Sequence, residues 1–249
     1  MTARRTLVSG GSKGIGRAVC IELAGAGHQV TALGRDRAAL EAIRRDTDGT
    51  VAVVCCDVTD ETAVASTVDL LGGVDILVNN VGVGPSAPLH RTTLAQWDDA
   101  LRTNATSSFL LARAVVPAMR DAGWGRLVFI ASTAALRGAP YLAAYVASKH
   151  AQLGLMRSVA AEVAGTGVTS NAVCPSYVRT PMTDTSIARI AALTGRTAEQ
   201  AEQALTSGSA LGRLLDPAEV AAAVAYLAAE SAAAVNGSTI VLDGGGSTV

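Results

Sequence analysis

A strand that breaks into glycines and resumes as a helix leaves a chain few folds to adopt. Here Thr6-Leu7-Val8-Ser9 is a short apolar run. Gly10-Gly11-Ser12-Lys13-Gly14-Ile15-Gly16 follows at once, and an Ala-rich stretch from Arg17 to about Ala26 reads as helix. Strand, glycine turn and helix in that order are the context a phosphate-binding turn requires. Glycine permits the tight backbone and a close approach, while the helix N-terminus offers free N–H groups and the positive end of a dipole to an anion. The spacing is Gly10-x-x-x-Gly14-x-Gly16 rather than G-x-G-x-x-G.

The same alternation continues along the chain. Apolar strand-like runs occupy Gln29–Gly34, Val51–Cys56, Asp75–Asn79, Arg126–Ala131, Val168–Cys174 and Ser238–Leu242. Helical stretches lie between them, among them Asp60–Leu71, Leu94 to about Met119, and one that begins near Leu142. Strands alternating with helices, without a linker or a shift of composition, predict an α/β fold: one doubly wound Rossmann domain over 1–249, with seven parallel strands and helices on both faces. Thr183–Leu214 differs. It is polar and mixed, its helical patches are broken by Gly195 and Gly208, and its length after a strand suggests a lid. Asp216-Pro217 then opens a helix with an N-cap and Pro at its first position.

Composition excludes several functions. A net charge of -1 with no run of one sign gives no electrostatic support for nucleic acid or for an anionic membrane. No apolar run reaches membrane-spanning length. Cys20, Cys55, Cys56 and Cys174 form no CxxC pair and read as buried reduced thiols, and His28, His90 and His150 lack ligand spacing, so no metal site is expected. A cytoplasmic setting is the expectation.

Chemistry-bearing residues gather where strands end. Ligands bind outside the carboxyl ends of parallel strands, which makes Asp57 and Asn79 plausible cofactor contacts. After Gln29–Gly34 comes Arg35-Asp36-Arg37. An acidic residue there would hydrogen-bond a free ribose 2′-hydroxyl, whereas an Arg accommodates a 2′-phosphate. Arg35 comes first, and Lys13 adds a second positive charge, so the reading is NADP(H). Asp36 keeps NAD(H) open as the alternative. Asn104 lies inside a helical stretch, which is unfavourable by propensity, so it is either exposed or has a specific partner. Tyr145 and Lys149 are four residues apart on a helix and share a face. A nearby ammonium favours the phenolate, which would lower the Tyr145 pKa and make it a general acid/base. Taken alone, that pair is also compatible with an ordinary helix surface.

The motifs Ser9-Gly10-x-x-x-Gly14-x-Gly16, Asp57, Asn79-Asn80-Val81-Gly82, Asn104, Ser132, Tyr145-x-x-x-Lys149 and Thr180-Pro181 occur in the order of the short-chain dehydrogenase/reductase family. The sequence resembles that family over nearly its whole length. The resemblance implies that Tyr145 exchanges the proton with the substrate oxygen. Lys149 would lower the Tyr145 pKa and hold the nicotinamide ribose, Ser132 would hydrogen-bond the carbonyl oxygen, and Asn104 would hold a water linking Lys149 to solvent. It implies a cofactor lined by Gly10, Ser12, Lys13, Gly14, Ile15 and Gly16 of the first turn. Arg35, Asp57 and Val58 follow the next strands. Asn80, Val81 and Gly82 follow the fourth, and Tyr145, Lys149, Pro175, Val178 and Thr180 complete the set. Ser9, Val81 and Ser176 depart from the commonest residues of the pattern, Thr, Ala and Gly; Val81 adds bulk near the adenosine half, and Ser176 lies next to the nicotinamide.

Ser148-Lys149-His150 and Asn171-Ala-Val-Cys-Pro resemble β-ketoacyl-thioester and polyketide ketoreductases. The expected substrate is therefore a small-molecule ketone, first a 3-ketoacyl thioester. A secondary-alcohol, steroid or polyol dehydrogenase acting on free or cyclic substrates is the alternative. Ser132, Thr133, Leu136, Tyr141, Tyr177 and Met182 would line the substrate pocket. Arg126 matches a position that carrier-protein reductases place as a basic residue beside the cleft, while Thr166 occupies another that is usually basic. Family members are usually homotetramers, so a homotetramer or homodimer is expected.

Overall fold

The computed structural model describes residues 2–207 and 209–246; the expected break at Gly208 lies outside them. Its centre is one seven-stranded sheet in the order β3-β2-β1-β4-β5-β6-β7, and every pairing is parallel. The strands are β1 (Arg5–Ser9), β2 (Gln29–Gly34), β3 (Val51–Cys55), β4 (Ile76–Asn79), β5 (Gly125–Ile130), β6 (Val168–Pro175) and β7 (Thr239–Leu242). Between them run α1 (Gly14–Gly25), α2 (Arg37–Asp46), α3 (Glu61–Leu70), α4 (Leu94–Leu101), α5 (Ser107–Asp121) and α6 (Ala143–Glu162). The helices α7 (Pro181–Thr194), α8 (Ala198–Thr206) and α9 (Pro217–Ala228) precede β7.

Alternation along each strand builds two cores. Leu7, Leu77, Leu127 and Phe129 point to one face and pack with Leu111, Val115 and Met119 of α5 and Leu153 and Met156 of α6. Their neighbours Val8, Ile76, Val78, Val128 and Ile130 point to the other, against Val19 and Leu23 of α1 and Val220, Val224 and Leu227 of α9. A period of two on strands buried on both faces explains why these runs read as continuous apolar sequence. A third, small cluster (Ile187, Ala201 and Leu214) joins α7 and α8 to each other. Gly195 ends α7 in the left-handed region at φ 70, as a helix C-terminus favours. Cys20, Cys56 and Cys174 are buried, but Cys55 is exposed because β3 is the sheet's edge strand. Among the described residues no helix is long and apolar enough to cross a membrane.

The strand order reverses direction between β1 and β4, so their carboxyl ends open a crevice. The glycine turn fills its floor. Gly10 and Gly14 hold φ of 65 and 52, which side chains disfavour. A Cβ at Gly16 would lie 2.2 Å from the Gly10 carbonyl oxygen, so α1 can pack this close to β1 only with glycine there. Gly16→Ala is therefore expected to destabilise the fold by about 1–3 kcal/mol, the usual overpacking cost. It would be read as a lower urea midpoint at unchanged slope, and an unchanged midpoint would contradict the packing account.

Candidate active site

Many of the residues singled out in the sequence fall at the carboxyl ends of six adjacent strands. Gly10–Gly16 follow β1, Arg35 follows β2, and Asp57 and Val58 follow β3. Asn80–Gly82 follow β4, Ser132 and Thr133 follow β5, and Tyr177–Met182 follow β6.

Lys13 precedes α1 without a side-chain cap, which leaves the first-turn N–H groups to other partners. With the left-handed glycines before them, these groups make a cradle fit for a pyrophosphate, and Ser12 and the half-buried Ile15 lie within the turn. A Cβ at Gly14 would lie 3.0 Å from Thr180 Cγ2, so the start of α7 closes over the turn. The Asn80 amide donates to the Ser9 and Gly10 carbonyls at 3.0 and 3.2 Å. Asn80 thus fixes the turn's shape. Asn79, a plausible cofactor contact by its strand position, is instead fully buried, because the sheet is covered on both faces at β4. Val58 and Val178 also bury their side chains in the cores. The extra bulk of Val81 falls on the glycine turn: its Cγ2 would sit 3.2 Å from a Cβ at Gly10. Pro175 ends β6, and the Ser176 N–H donates to the Leu242 carbonyl at 2.9 Å, which holds that loop to β7.

At the end of β2, Asp36 caps α2 by accepting the Ala39 N–H at 3.1 Å, and its other oxygen pairs with Lys13 Nζ at 2.6 Å. The Lys13 hydrogen bond holds the Asp36 carboxyl below its ordinary pKa. Arg35 extends into solvent, 3.9 Å from Asp57. Asp57 also accepts the Thr59 N–H and hydroxyl, and the backbone bond is the first cause of its lowered pKa.

The long helix from Leu94 to Asp121 is interrupted at Arg102–Thr106 by a π turn that contains Asn104. Such turns often mark functional sites. Asn104 is fully buried and has the specific partners its position demanded. Its Oδ1 accepts the Val83 N–H at 2.7 Å; its Nδ2 donates to the Val83 carbonyl at 2.9 Å and to Ser148 Oγ at 2.7 Å. It therefore clamps the loop after β4 onto α6.

Lys149 is 4 % exposed, and its Nζ donates to the Ile130 carbonyl at 2.8 Å and to Gln152 Oε1 at 2.9 Å. Burial pushes its pKa down to about 8. The ammonium stands 5.9 Å from the Tyr145 ring centroid. Burial raises the Tyr145 pKa, and a hydrogen bond with the Ser132 side chain draws it partly back. Burial therefore outweighs the lowering expected from the Lys149 ammonium, and the net direction of the phenol pKa is upward. Protein groups also connect Lys149 to Asn104. Gln152 Nε2 donates to Ser108 Oγ at 2.8 Å, and Ser108 Oγ donates to the Asn104 carbonyl at 2.9 Å. Gln152 escaped the sequence reading, although its place three residues after Lys149 puts it on the same helix face.

Leu136, Tyr141, Tyr177 and Met182 are all exposed large apolar side chains. Tyr141 takes φ 66, rare for a side-chain-bearing residue, and its carbonyl accepts the Ala87 N–H at 2.8 Å. A Cβ at Gly84 would lie 3.7 Å from Met182 Sδ and 3.8 Å from Tyr145 Cδ2, so α7 and the loop after β4 meet over the phenol. Arg126 does not stand beside this cleft. It sits at the amino end of β5, 1 % exposed, where it stacks on Trp124 and donates to the Gly125 and Gly167 carbonyls.

A family model described as enoyl-(acyl carrier protein) reductase matches residues 10–247. A D-beta-hydroxybutyrate dehydrogenase of Rhizobium meliloti is 36 % identical, with 97 % of this chain and 98 % of that protein covered. The chain belongs to the short-chain dehydrogenase/reductase family. An acetoacetyl-CoA reductase of the same organism is 37 % identical over 98 % of both chains. An actinorhodin polyketide ketoreductase variant, solved with NADPH, superposes with a TM-score of 0.92 at 33 % identity, covering 99 % of this chain and 98 % of that one. This chain is accordingly an oxidoreductase that acts on CH–OH groups with a nicotinamide cofactor.

The Lys149 environment sets a pH dependence of stability. Its folded pKa lies below its unfolded value, so below pH 8 both states hold the proton and the full cost of burying the charge is present. Above pH 8 the unfolded chain binds more protons, so stability from this group rises with pH. The unfolding free energy of the unmodified protein relative to Lys149→Met is expected to gain about 2 kcal/mol between pH about 7.5 and about 9.5. A difference independent of pH would contradict the burial argument.

Proposed function

We propose that this chain reduces a ketone to a secondary alcohol with NADPH, and that its substrate class is a 3-ketoacyl thioester. The observation that carries this reading is that Ser132 at the end of β5 bears on the Tyr145 phenol while the buried Lys149 ammonium stands 5.9 Å from the same ring. Two hydroxyl donors converge where one substrate oxygen can sit. The nicotinamide supplies the hydride when bound. Tyr145 gives its proton to the oxygen as negative charge develops there, and Ser132 donates a second hydrogen bond to it. Lys149 keeps a positive charge behind the phenol and favours its deprotonated product. Asn104 holds the loop and α6 in register, a positioning task.

The glycine turn would hold the pyrophosphate. Arg35 would meet the adenosine 2′-phosphate, while Asp36 is engaged as helix cap and as partner of Lys13. The Lys13–Asp36 pair is exposed, so it contributes little and can yield Lys13 to a phosphate. Thr180 and the loop from Pro175 would border the nicotinamide. The exposed Leu136, Tyr141, Tyr177 and Met182 would line the acyl path. The segment 183–214, which packs largely on its own small cluster, would close over it as a lid. The acetoacetyl-CoA reductase and polyketide ketoreductase relatives support the thioester. The hydroxybutyrate dehydrogenase relative favours a second reading, oxidation of a free hydroxy acid.

Nicotinamide absorbance across a panel of acetoacetyl-CoA, a 3-ketoacyl N-acetylcysteamine thioester, a bicyclic ketone and an aryl ketone decides between them, with NADH and 3-hydroxybutyrate plus NAD run in parallel. NADPH-dependent turnover of the thioesters is expected; activity confined to 3-hydroxybutyrate or to free ketones would overturn the thioester reading. Tyr145→Phe should retain NADPH binding and lose turnover by roughly 10²–10⁴-fold, and near-normal turnover would refute its acid role. Arg35→Ala should weaken NADPH by about tenfold or more through loss of a charge-assisted contact while sparing NADH; equal effects would show that Arg35 does not read the phosphate.

A further inference from the structure

The chain contains two lysines, Lys13 and Lys149, among 20 basic residues. Arginine keeps its charge almost anywhere, whereas a buried lysine is readily neutralised. Lys149 is buried without a carboxylate partner among the described residues, and its Nζ donates to two oxygens, the Ile130 carbonyl and Gln152 Oε1. Gln152 is itself fully buried on α6. Its Nε2 donates to Ser108 Oγ at 2.8 Å, and Ser108 Oγ donates on to the Asn104 carbonyl at 2.9 Å. The amide is therefore oriented from behind. With its nitrogen bound to a hydroxyl on α5, its oxygen is left facing the ammonium.

We propose that Gln152 is a positioning residue for Lys149, whose amide oxygen holds the ammonium in place and favours its charged form. This rests on the reading of Tyr145 and Lys149 as the acid–base pair. An amide oxygen accepts from an ammonium more strongly than from a neutral amine, so Gln152 opposes the desolvation that drives Lys149 toward neutrality. The surroundings leave few other groups to do so. Ile130 of β5 contributes a carbonyl, and Asn104 and Ser108 carry no charge. From β6, Cys174 is the titratable group that bears on Lys149, and burial raises its thiol pKa. Arg157 of α6 bears on Cys174, and Tyr177 bears on Tyr145. Tyr145 itself lies one helical turn away. Gln152 thus sets how much positive charge stands behind the phenol at a given pH.

The test reads Lys149 directly. With lysine-labelled protein and Lys13→Arg to assign the signals, the side-chain NMR shift of Lys149 is followed against pH. Gln152→Met, of similar volume, should move its titration midpoint down by about one pH unit, and Gln152→Glu should move it up by a similar amount. Ketone reduction consumes a proton, so its alkaline limb should move in the same two directions. Shifted Lys149 midpoints without ketone turnover would sink the reductase reading and leave the Gln152 assignment standing. Midpoints unmoved in both folded variants, even with lowered melting temperature or lowered turnover, would overturn the assignment and reduce Gln152 to a packing residue.

Discussion

An ammonium buried against the sheet is the constraint on which the site depends. Lys149 is removed from water with no carboxylate beside it among the described residues, an arrangement that is tolerated where its donors find oxygens. The carboxyl end of β5 provides one, the Ile130 carbonyl, and α6 itself provides the other through Gln152. Both demand that α6 lie against β5 and α5 at a fixed register. The π turn at Arg102–Thr106 helps to meet this demand. It holds Asn104 where the amide can grip the Val83 backbone and Ser148 together, so loop, α5 and α6 are tied at one point.

The sheet brings these parts together. Because β1 and β4 are neighbours while their connections leave in opposite directions, the glycine turn and the Asn80–Gly82 loop face one another. Asn80 then bonds two carbonyls of the glycine turn. The proposed phosphate cradle is thus set by adjacent strand ends and the proposed proton-transfer pair by α6 beside β5, and the two apolar cores beneath keep the strands in place. The helices α7 and α8 stand apart from those cores with a small cluster of their own. They are attached at Thr180, which caps α7 by accepting the Thr183 N–H.

Much of this was legible in the sequence, for a physical reason. A strand buried on both faces is a continuous apolar run, and β2 over Gln29–Gly34 falls where the run does. Helix starts show as caps: Asp216 with Pro217 and Glu219 forms a capping box. The glycine turn and the Tyr145–Lys149 pair were visible because their chemistry is tied to local spacing, and Ser132 through the family resemblance. What escaped depends on contacts distant in sequence. Arg126 reads as an accessible cation, yet it folds back over the amino end of β5 onto Trp124. Cys55 reads as buried, yet it lies on the edge strand. The direction of the Tyr145 pKa is set first by burial, and the Lys149 ammonium is held by Ile130 and Gln152. No spacing rule reveals either.

The central claim is hydride delivery to a carbonyl carbon with Tyr145 protonating its oxygen. It is tested most directly by incubating the protein with acetoacetyl-CoA and NADPH deuterated at the transferable position, then analysing the 3-hydroxyacyl product by mass spectrometry. The account predicts deuterium on the carbon that bears the new hydroxyl, and almost no such product with Tyr145→Phe. Reduced product without that deuterium, or labelled product formed equally well by Tyr145→Phe, would contradict it.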